Sequence, residues 1–250
     1  MRSFFVLFSS ILLFASCEED RVLQEEILAD FIELNRALEV ADLVACAGGD
    51  ENGLLGSSAL PTDVFFYPIQ GATDFRYFEA ENVADSSDLS KYRIKDLESE
   101  PLFNGYMAKF NNLPFTGERM GIVTYKTPGK LHVCTPIRLK TNNKPTEVNK
   151  DLIVVEENST APSFTWSDGL IKENVIYFHV ISDAENNLIS GTYTIEKNFT
   201  FYDLSNVVFN ITDPNSTPTL QPNKDYRFTL MGVSEDNWVN LFAEVDFRTD

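Results

Sequence analysis

The spacing of apolar positions changes once along the chain, near residue 50. Before that point Leu23, Ile27, Phe31, Leu34, Leu38, Ala41 and Ala45 follow one another at intervals of 4, 4, 3, 4, 3 and 4 residues. This period predicts an amphipathic helix over residues 20–45, about 39 Å long. Leu28, Ile32 and Val44 widen its apolar stripe, and Gly48-Gly49 supplies a stop. The opposite face carries Glu25, Glu26, Asp30, Glu33, Glu39 and Asp42 against Arg21 and Arg36, so it is not a face for an anionic membrane. The helix either docks on the protein's own β structure or binds a partner.

Beyond a Gly- and Ser-rich stretch from residue 48 to 61, the pattern becomes short runs of Phe, Tyr, Val, Ile and Thr broken by Gly, Pro, Asn and Asp. That is the mark of sandwich strands. Strands are expected at 64–67, 74–81, 104–110, 120–125 and 131–139, then at 163–166, 175–182, 192–202, 207–212, 226–234 and 238–247. A second punctuated stretch, with Asn142-Asn143-Lys144-Pro145 and Glu156-Glu157-Asn158-Ser159, separates the two groups. The chain is thus expected to be mainly β: a segment at 17–60 holding tether, helix and linker, a first sandwich at 61–141, a linker at 142–161 and a second sandwich at 162–250.

The first 16 residues have a different character. Arg2 is followed by an apolar run from Phe4 to Phe14, too short to span a bilayer and shaped like an export signal. The run ends in Ala15-Ser16-Cys17, which resembles the lipobox of bacterial lipoproteins. That resemblance implies cleavage of residues 1–16 and lipidation of Cys17, whose acyl chains contribute about 0.8 kcal/mol per buried CH₂ to membrane anchoring. Glu18-Glu19-Asp20 resembles the acidic signal that sends lipoproteins of the Bacteroidota to the cell surface, although acids near a helix start are favoured by the helix dipole in any case.

In the second sandwich, Leu220 and Pro222 stand six and four residues before Tyr226, which opens an alternating strand. This resembles the tyrosine corner of fibronectin type III domains, in which the phenol bonds back to the preceding loop, and Trp166 fits that family's core tryptophan. Thr135-Pro136-Ile137-Arg138-Leu139 is similar to the last strand of the same fold, but the first sandwich has no such corner. Taken together, lipobox, helix and tandem sandwiches resemble surface lipoproteins of flavobacteria-like Bacteroidota. The resemblance implies an outer-membrane address and no chemistry.

Charge and composition narrow the function by exclusion. With 38 acidic and 20 basic side chains among 250 residues, the net charge of −18 rules against a nucleic-acid binder. No catalytic residue, metal site or cofactor is expected. His132 and His179 each stand alone on a strand, and no nucleophile elbow, phosphate loop or dinucleotide fingerprint occurs. The oxygen-rich turns 183–187 and 213–215 read as solvated turns rather than calcium loops. Cys46 and Cys134 could form one disulfide or remain buried thiols.

What does stand out is the face the second sandwich turns away from its core. If Tyr226, Phe228 and Leu230 point inward, Met231 and Val233 point out, and on the last strand so do Trp238, Asn240 and Phe242. On the neighbouring strand Ile176, Phe178 and Val180 alternate with Tyr177, His179 and Ile181, so an apolar set remains outside the core whichever enters it. An apolar outer face needs a cover, either the helix or the first sandwich, or else a partner. The candidate binding residues are therefore Met231, Val233, Trp238, Asn240, Phe242, Tyr177 and His179. The leading expectation is a non-catalytic surface lipoprotein that mediates protein binding or assembly in the envelope. Its rival is a glycan-binding accessory lipoprotein of a polysaccharide-uptake system, with Trp238 and Tyr177 as sugar platforms.

Overall fold

The computed structural model describes residues 22–50, 54, 62–112, 117–156, 159–213, 215 and 217–250. The export signal, Cys17 and Glu18-Glu19-Asp20 lie outside the described residues. The first unit contains α1 (Leu28–Leu34) and strands β1 (Glu39–Leu43), β2 (Ala45–Gly48), β3 (Thr62–Phe66), β4 (Thr73–Ala80), β5 (Arg93–Lys95), β6 (Ser99–Leu102), β7 (Met107–Asn112), β8 (Arg119–Thr127), β9 (Lys130–Cys134) and β10 (Ile137–Leu139). The second contains β11 (Glu147–Val148), β12 (Ile153–Glu156), β13 (Ser163–Trp166), β14 (Asn174–Asp183), β15 (Leu188–Thr194), β16 (Asn198–Thr200), β17 (Val207–Asn210), β18 (Asp225–Ser234) and β19 (Val239–Arg248).

Strand order identifies both units as immunoglobulin-like sandwiches. In the first, β2-β3-β7-β6 faces β1-β9-β8-β4-β5, with β10 also on β8. This is the A-B-E-D sheet over a G-F-C sheet, its opening strand shared between the two. In the second, β12-β13-β16 faces β11-β19-β18-β14-β15-β17. A three-stranded A-B-E sheet against a G-F-C-C′ sheet is the fibronectin-like arrangement.

The long helix of the sequence reading is not formed. Helix α1 has 7 residues and stops at Asn35, whose amide Nδ2 donates to the Phe31 carbonyl at 2.7 Å. After a turn the chain becomes β1, parallel to β9 from Glu39 opposite Lys130 to Leu43 opposite Cys134. Val40 and Val44 suit extended backbone, and a waiting sheet edge overrides a helical spacing that rests on alanines at 41 and 45. The short helix packs on its own sandwich: Leu28 and Phe31 are buried, Phe31 meets Phe78 at 5.7 Å, and the Arg76 guanidinium lies 4.4 Å over the Phe31 ring.

These strands move the expected boundaries. β1 and β2 fall within the segment read as tether and linker, and they complete the first sandwich. The expected linker at 142–161 contains β11, paired with β19, and β12, the first strand of the second sandwich. The strand expected at 192–202 is two, β15 and β16, which belong to opposite sheets.

Inside the second sandwich the corner is built as its motif implies. The Gln221 amide donates to Tyr226 Oη at 2.9 Å, and Leu220 is buried beside the ring's neighbours. Trp166 lies in the same core and meets Tyr177 edge-on at 5.5 Å. In the first sandwich Gly121 leaves room for Tyr77, whose Oη would sit 2.5 Å from a Cβ there.

Candidate functional site: the domain junction

Every residue expected on the exposed apolar face is buried. Met231, Val233 and Phe242 pack, with Phe178, Val180 and Tyr193, against Leu54, Phe65, Phe103 and Met107 of the first sandwich. The first domain is thus the cover, and a binding surface at these positions is corrected to a domain interface. Burial of both faces of β3 is the counterpart: Val64 and Phe66 enter the first core while Phe65 meets the second domain.

Trp238 goes further, because its side chain enters the first domain's own core and is fully enclosed. The β18–β19 turn carries it there as a plug. Asn237 takes a left-handed φ of 61°, its Nδ2 donates to Thr135 Oγ1 at 3.0 Å and to the Pro136 carbonyl at 3.1 Å, and the Trp238 indole donates to the Lys144 carbonyl at 2.9 Å. Ala47 of β2 bonds to the Asn237 carbonyl at 3.0 Å, and the Arg138 amide to that of Asp236. Lys140 pairs with Asp236 at 2.7 Å. Burial pushes the Asp236 carboxyl up, but the Lys140 and Ser234 hydrogen bonds outweigh it and hold the group below its usual range. Gly48 is required where β2 crosses β19, since a Cβ there would sit 2.8 Å from Val239 Cβ.

The remaining expected residues point elsewhere. Tyr177 and His179 face the second sandwich's core, because Ile181 and Phe228 share that side and the alternation places Phe178 and Val180 outside. His179 is buried among Trp166, Phe199 and Phe228, its Nδ1 3.0 Å from Thr192 Oγ1. Burial alone lowers its pKa to about 3, so the imidazole is neutral. Tyr177 Oη donates to Asp168, which also accepts from Asn174 and Lys197. Asn240 is buried too, donating to Asn174 Oδ1 at 3.1 Å. The seven residues do not form one site: they divide among a domain interface, a plug and a sandwich core.

Sequence reading missed the covering residues of the first domain, above all Phe103 and Met107. The available signal was the unbroken apolar run Val64-Phe65-Phe66, since a strand apolar on both faces is covered on both. The thiols Cys46 and Cys134 are free, and burial lifts the Cys134 pKa to about 12, which makes it unreactive. Among the described residues no group of three or more His, Cys, Asp or Glu side chains could hold a metal ion. Asp183 instead caps its own turn, accepting from the Glu185 and Asn187 amides at 3.1 and 2.8 Å.

Beside the interface the outer face of the second sandwich stays open as a cleft of about 640 Å³, walled by Leu102 and Phe103 of the first domain. It carries a cross-strand ladder of charge. Arg227 pairs with Asp246 at 2.8 Å, Arg248 with Asp225 at 2.8 Å, and Thr229 donates to Glu244 at 2.9 Å. These groups satisfy one another.

No family model and no curated protein matches the chain. Among solved structures it is similar to the chicken CNTN1 FN1-FN3 domains, at 14% identity over 86% of this chain and 69% of that one, with a TM-score of 0.29. At that score the assignment rests on strand order and the tyrosine corner. The chain is mainly β, with tandem immunoglobulin-like, fibronectin type III-like sandwiches.

Proposed function

We propose that the protein is a non-catalytic lipoprotein of a bacterial envelope, anchored through Cys17 on the outer membrane and exposed at the surface, where its paired sandwiches mediate protein binding or assembly. The observation that carries the binding role is the plugged junction: with Trp238 enclosed and the apolar outer faces joined, the two sandwiches act as one body with fixed geometry, as a docking scaffold requires. The anchor rests on the Ala15-Ser16-Cys17 pattern after an apolar run, and the surface address on Glu18-Glu19-Asp20. The glycan reading loses its support, because Trp238 and Tyr177 are buried and offer no sugar platform.

Cys17→Ala is expected to abolish acyl labelling and release the chain from the membrane fraction; label retained on the variant refutes the anchor. Replacing Glu18, Glu19 and Asp20 with Ala should keep the label but protect the chain from external protease, and unchanged digestion refutes the surface signal. Cross-linking in intact cells should trap the anchored chain with a partner protein. A chain recovered only uncross-linked refutes the binding role.

A further inference from the structure

The cleft beside the domain junction has a floor whose order is set by strand register. Phe178, Met231 and Phe242 form one cross-strand row, buried under the first domain. Two residues further along each strand, on the same face, come Val180, Thr229 and Glu244, and two further again Ser182, Arg227 and Asp246. The face therefore turns from apolar to polar within one step, beside the wall made by Leu102 and Phe103.

One polar group in this floor is unused by the fold. Ser182 lines the cleft and is 1% exposed, yet its Oγ has no hydrogen-bond partner among the described residues. A buried hydroxyl left unpaired is destabilising, so its presence calls for an explanation. The walls are held in costly conformations as well. Phe103 and Asn104 take left-handed φ values of 48° and 52°, and Asn186, which also lines the cleft, takes 64°. Asn104 Nδ2 donates to the Glu185 carbonyl at 3.2 Å and so ties the wall to the β14–β15 turn. Left-handed backbone at non-glycine residues persists where the surroundings enforce it, and it gathers at ligand clamps. The cleft thus has a fixed shape, and its volume of about 640 Å³ is that of a small-molecule site.

Charge selects the ligand. Four carboxylates line the cleft, Asp183, Asp225, Glu244 and Asp246, against the guanidinium groups of Arg227 and Arg248. Each arginine is committed to an aspartate, so neither is free for an anion. Asp183 is committed too, to three donors of its own turn. Glu244 is different. It is half-buried, one step from Phe242, and it accepts the neutral Thr229 hydroxyl without an ion pair among the described residues. The carboxylates do not converge on one point, since among the described residues no three acidic, His or Cys side chains form a metal-sized group. The cation that suits them carries its own apolar body.

We infer that the cleft binds a small organic cation, an alkylammonium whose charge rests on Glu244, whose methylenes lie against Leu102 and Phe103, and whose far end hydrogen-bonds Ser182 Oγ. The inference goes beyond the partner-binding role and does not depend on it. Ser182 and Glu244 stand two strands apart, about 10 Å across the sheet, so the ligand is elongated. An ammonium–carboxylate hydrogen bond is charge-assisted, and beside the buried Phe242 it is stronger than in open water.

The test titrates the full chain with aminopentanol, charged at one end and hydroxylated at the other, and follows backbone amide resonances. Saturable shifts are expected at residues lining the cleft, Ala184, Asn186 and Asp225 among them. Pentanediol, which keeps the chain and loses the charge, should bind at least tenfold more weakly, and the anion hydroxypentanoate should not bind. Glu244→Gln keeps an acceptor for Thr229, so it should leave the urea midpoint unchanged while weakening aminopentanol at least tenfold. Ser182→Ala should weaken it about threefold and leave the urea midpoint equal or higher, because no native hydrogen bond is lost. Shifts that never saturate, or binding undiminished in Glu244→Gln, would overturn the assignment, since a cation drawn only by the net charge of −18 behaves that way. Equal affinity for the diol would overturn it by removing the role of charge. A lower urea midpoint in Ser182→Ala would do so as well, because the hydroxyl would then have its partner within the fold.

Discussion

Removing the plug tests whether the two sandwiches are one body. In Trp238→Ala the deleted side chain comes from a fully enclosed position in the first domain's core, although the residue belongs to the second domain. A buried aromatic side chain removes about 150–250 Å² from water, and at about 25 cal/mol/Å² the part that exceeds alanine is worth about 3–5 kcal/mol. This agrees with the usual loss of about 3–5 kcal/mol for Trp→Ala in cores. The indole bond to the Lys144 carbonyl adds about 1 kcal/mol. Because an extended-chain reference overstates burial, a net loss of about 4 kcal/mol is expected. The chain has two tryptophans, so in the variant Trp166 alone reports on the second sandwich, while far-ultraviolet circular dichroism reports on both. In urea the unaltered chain should unfold in one transition by both probes, and the variant in two. A loss under about 1 kcal/mol with coincident transitions would show that the domains do not depend on Trp238.

Two further outcomes concern the second sandwich. Tyr226→Phe leaves the Gln221 amide without its acceptor and should cost about 1–2 kcal/mol, whereas Tyr202→Phe, whose hydroxyl accepts from exposed Asn210, should cost under about 0.5 kcal/mol; equal losses by urea denaturation would refute the corner's role. His179 has a folded pKa of about 3 against about 6.5 unfolded, so between those values the unfolded chain binds a proton that the native one does not. Its contribution is complete above pH 6.5 and falls by about 1.4 kcal/mol per unit as pH drops toward 3, and a stability difference between the unaltered chain and His179→Gln that stays flat from pH 7 to 4 would refute the buried neutral imidazole.

The second sandwich was legible because its signals are local. Tyr226 with Leu220 and Pro222 marks a turn whose hydrogen bond closes within six residues, and the alternation along 226–234 matches β18 to within a residue. The helix at 20–45 failed for the opposite reason. Its spacing was real only through Phe31 and Leu34, and the fate of residues 39–48 was decided by β9 and β3, which lie far away in sequence. Short edge strands such as β5, β6 and β11 have few residues to carry a period, and pairing rather than pattern creates them.

The candidate site shows the same division between local and distant information. Alternation correctly assigned Met231, Val233 and Phe242 to the outside of their own sandwich, but it could not say what lay against them. Nor could it show that a register shift between Gly232 and Val233 turns Val239 toward the interface as well. In a tandem protein an apolar outer face has a nearby claimant at high effective concentration, the neighbouring domain, which a free partner must outcompete. Such a face is therefore read first against the rest of the chain, and here Phe65, between two apolar neighbours on β3, is its counterpart. What the neighbour leaves partly open is Phe209, 44% exposed on β17 beside the buried Tyr193.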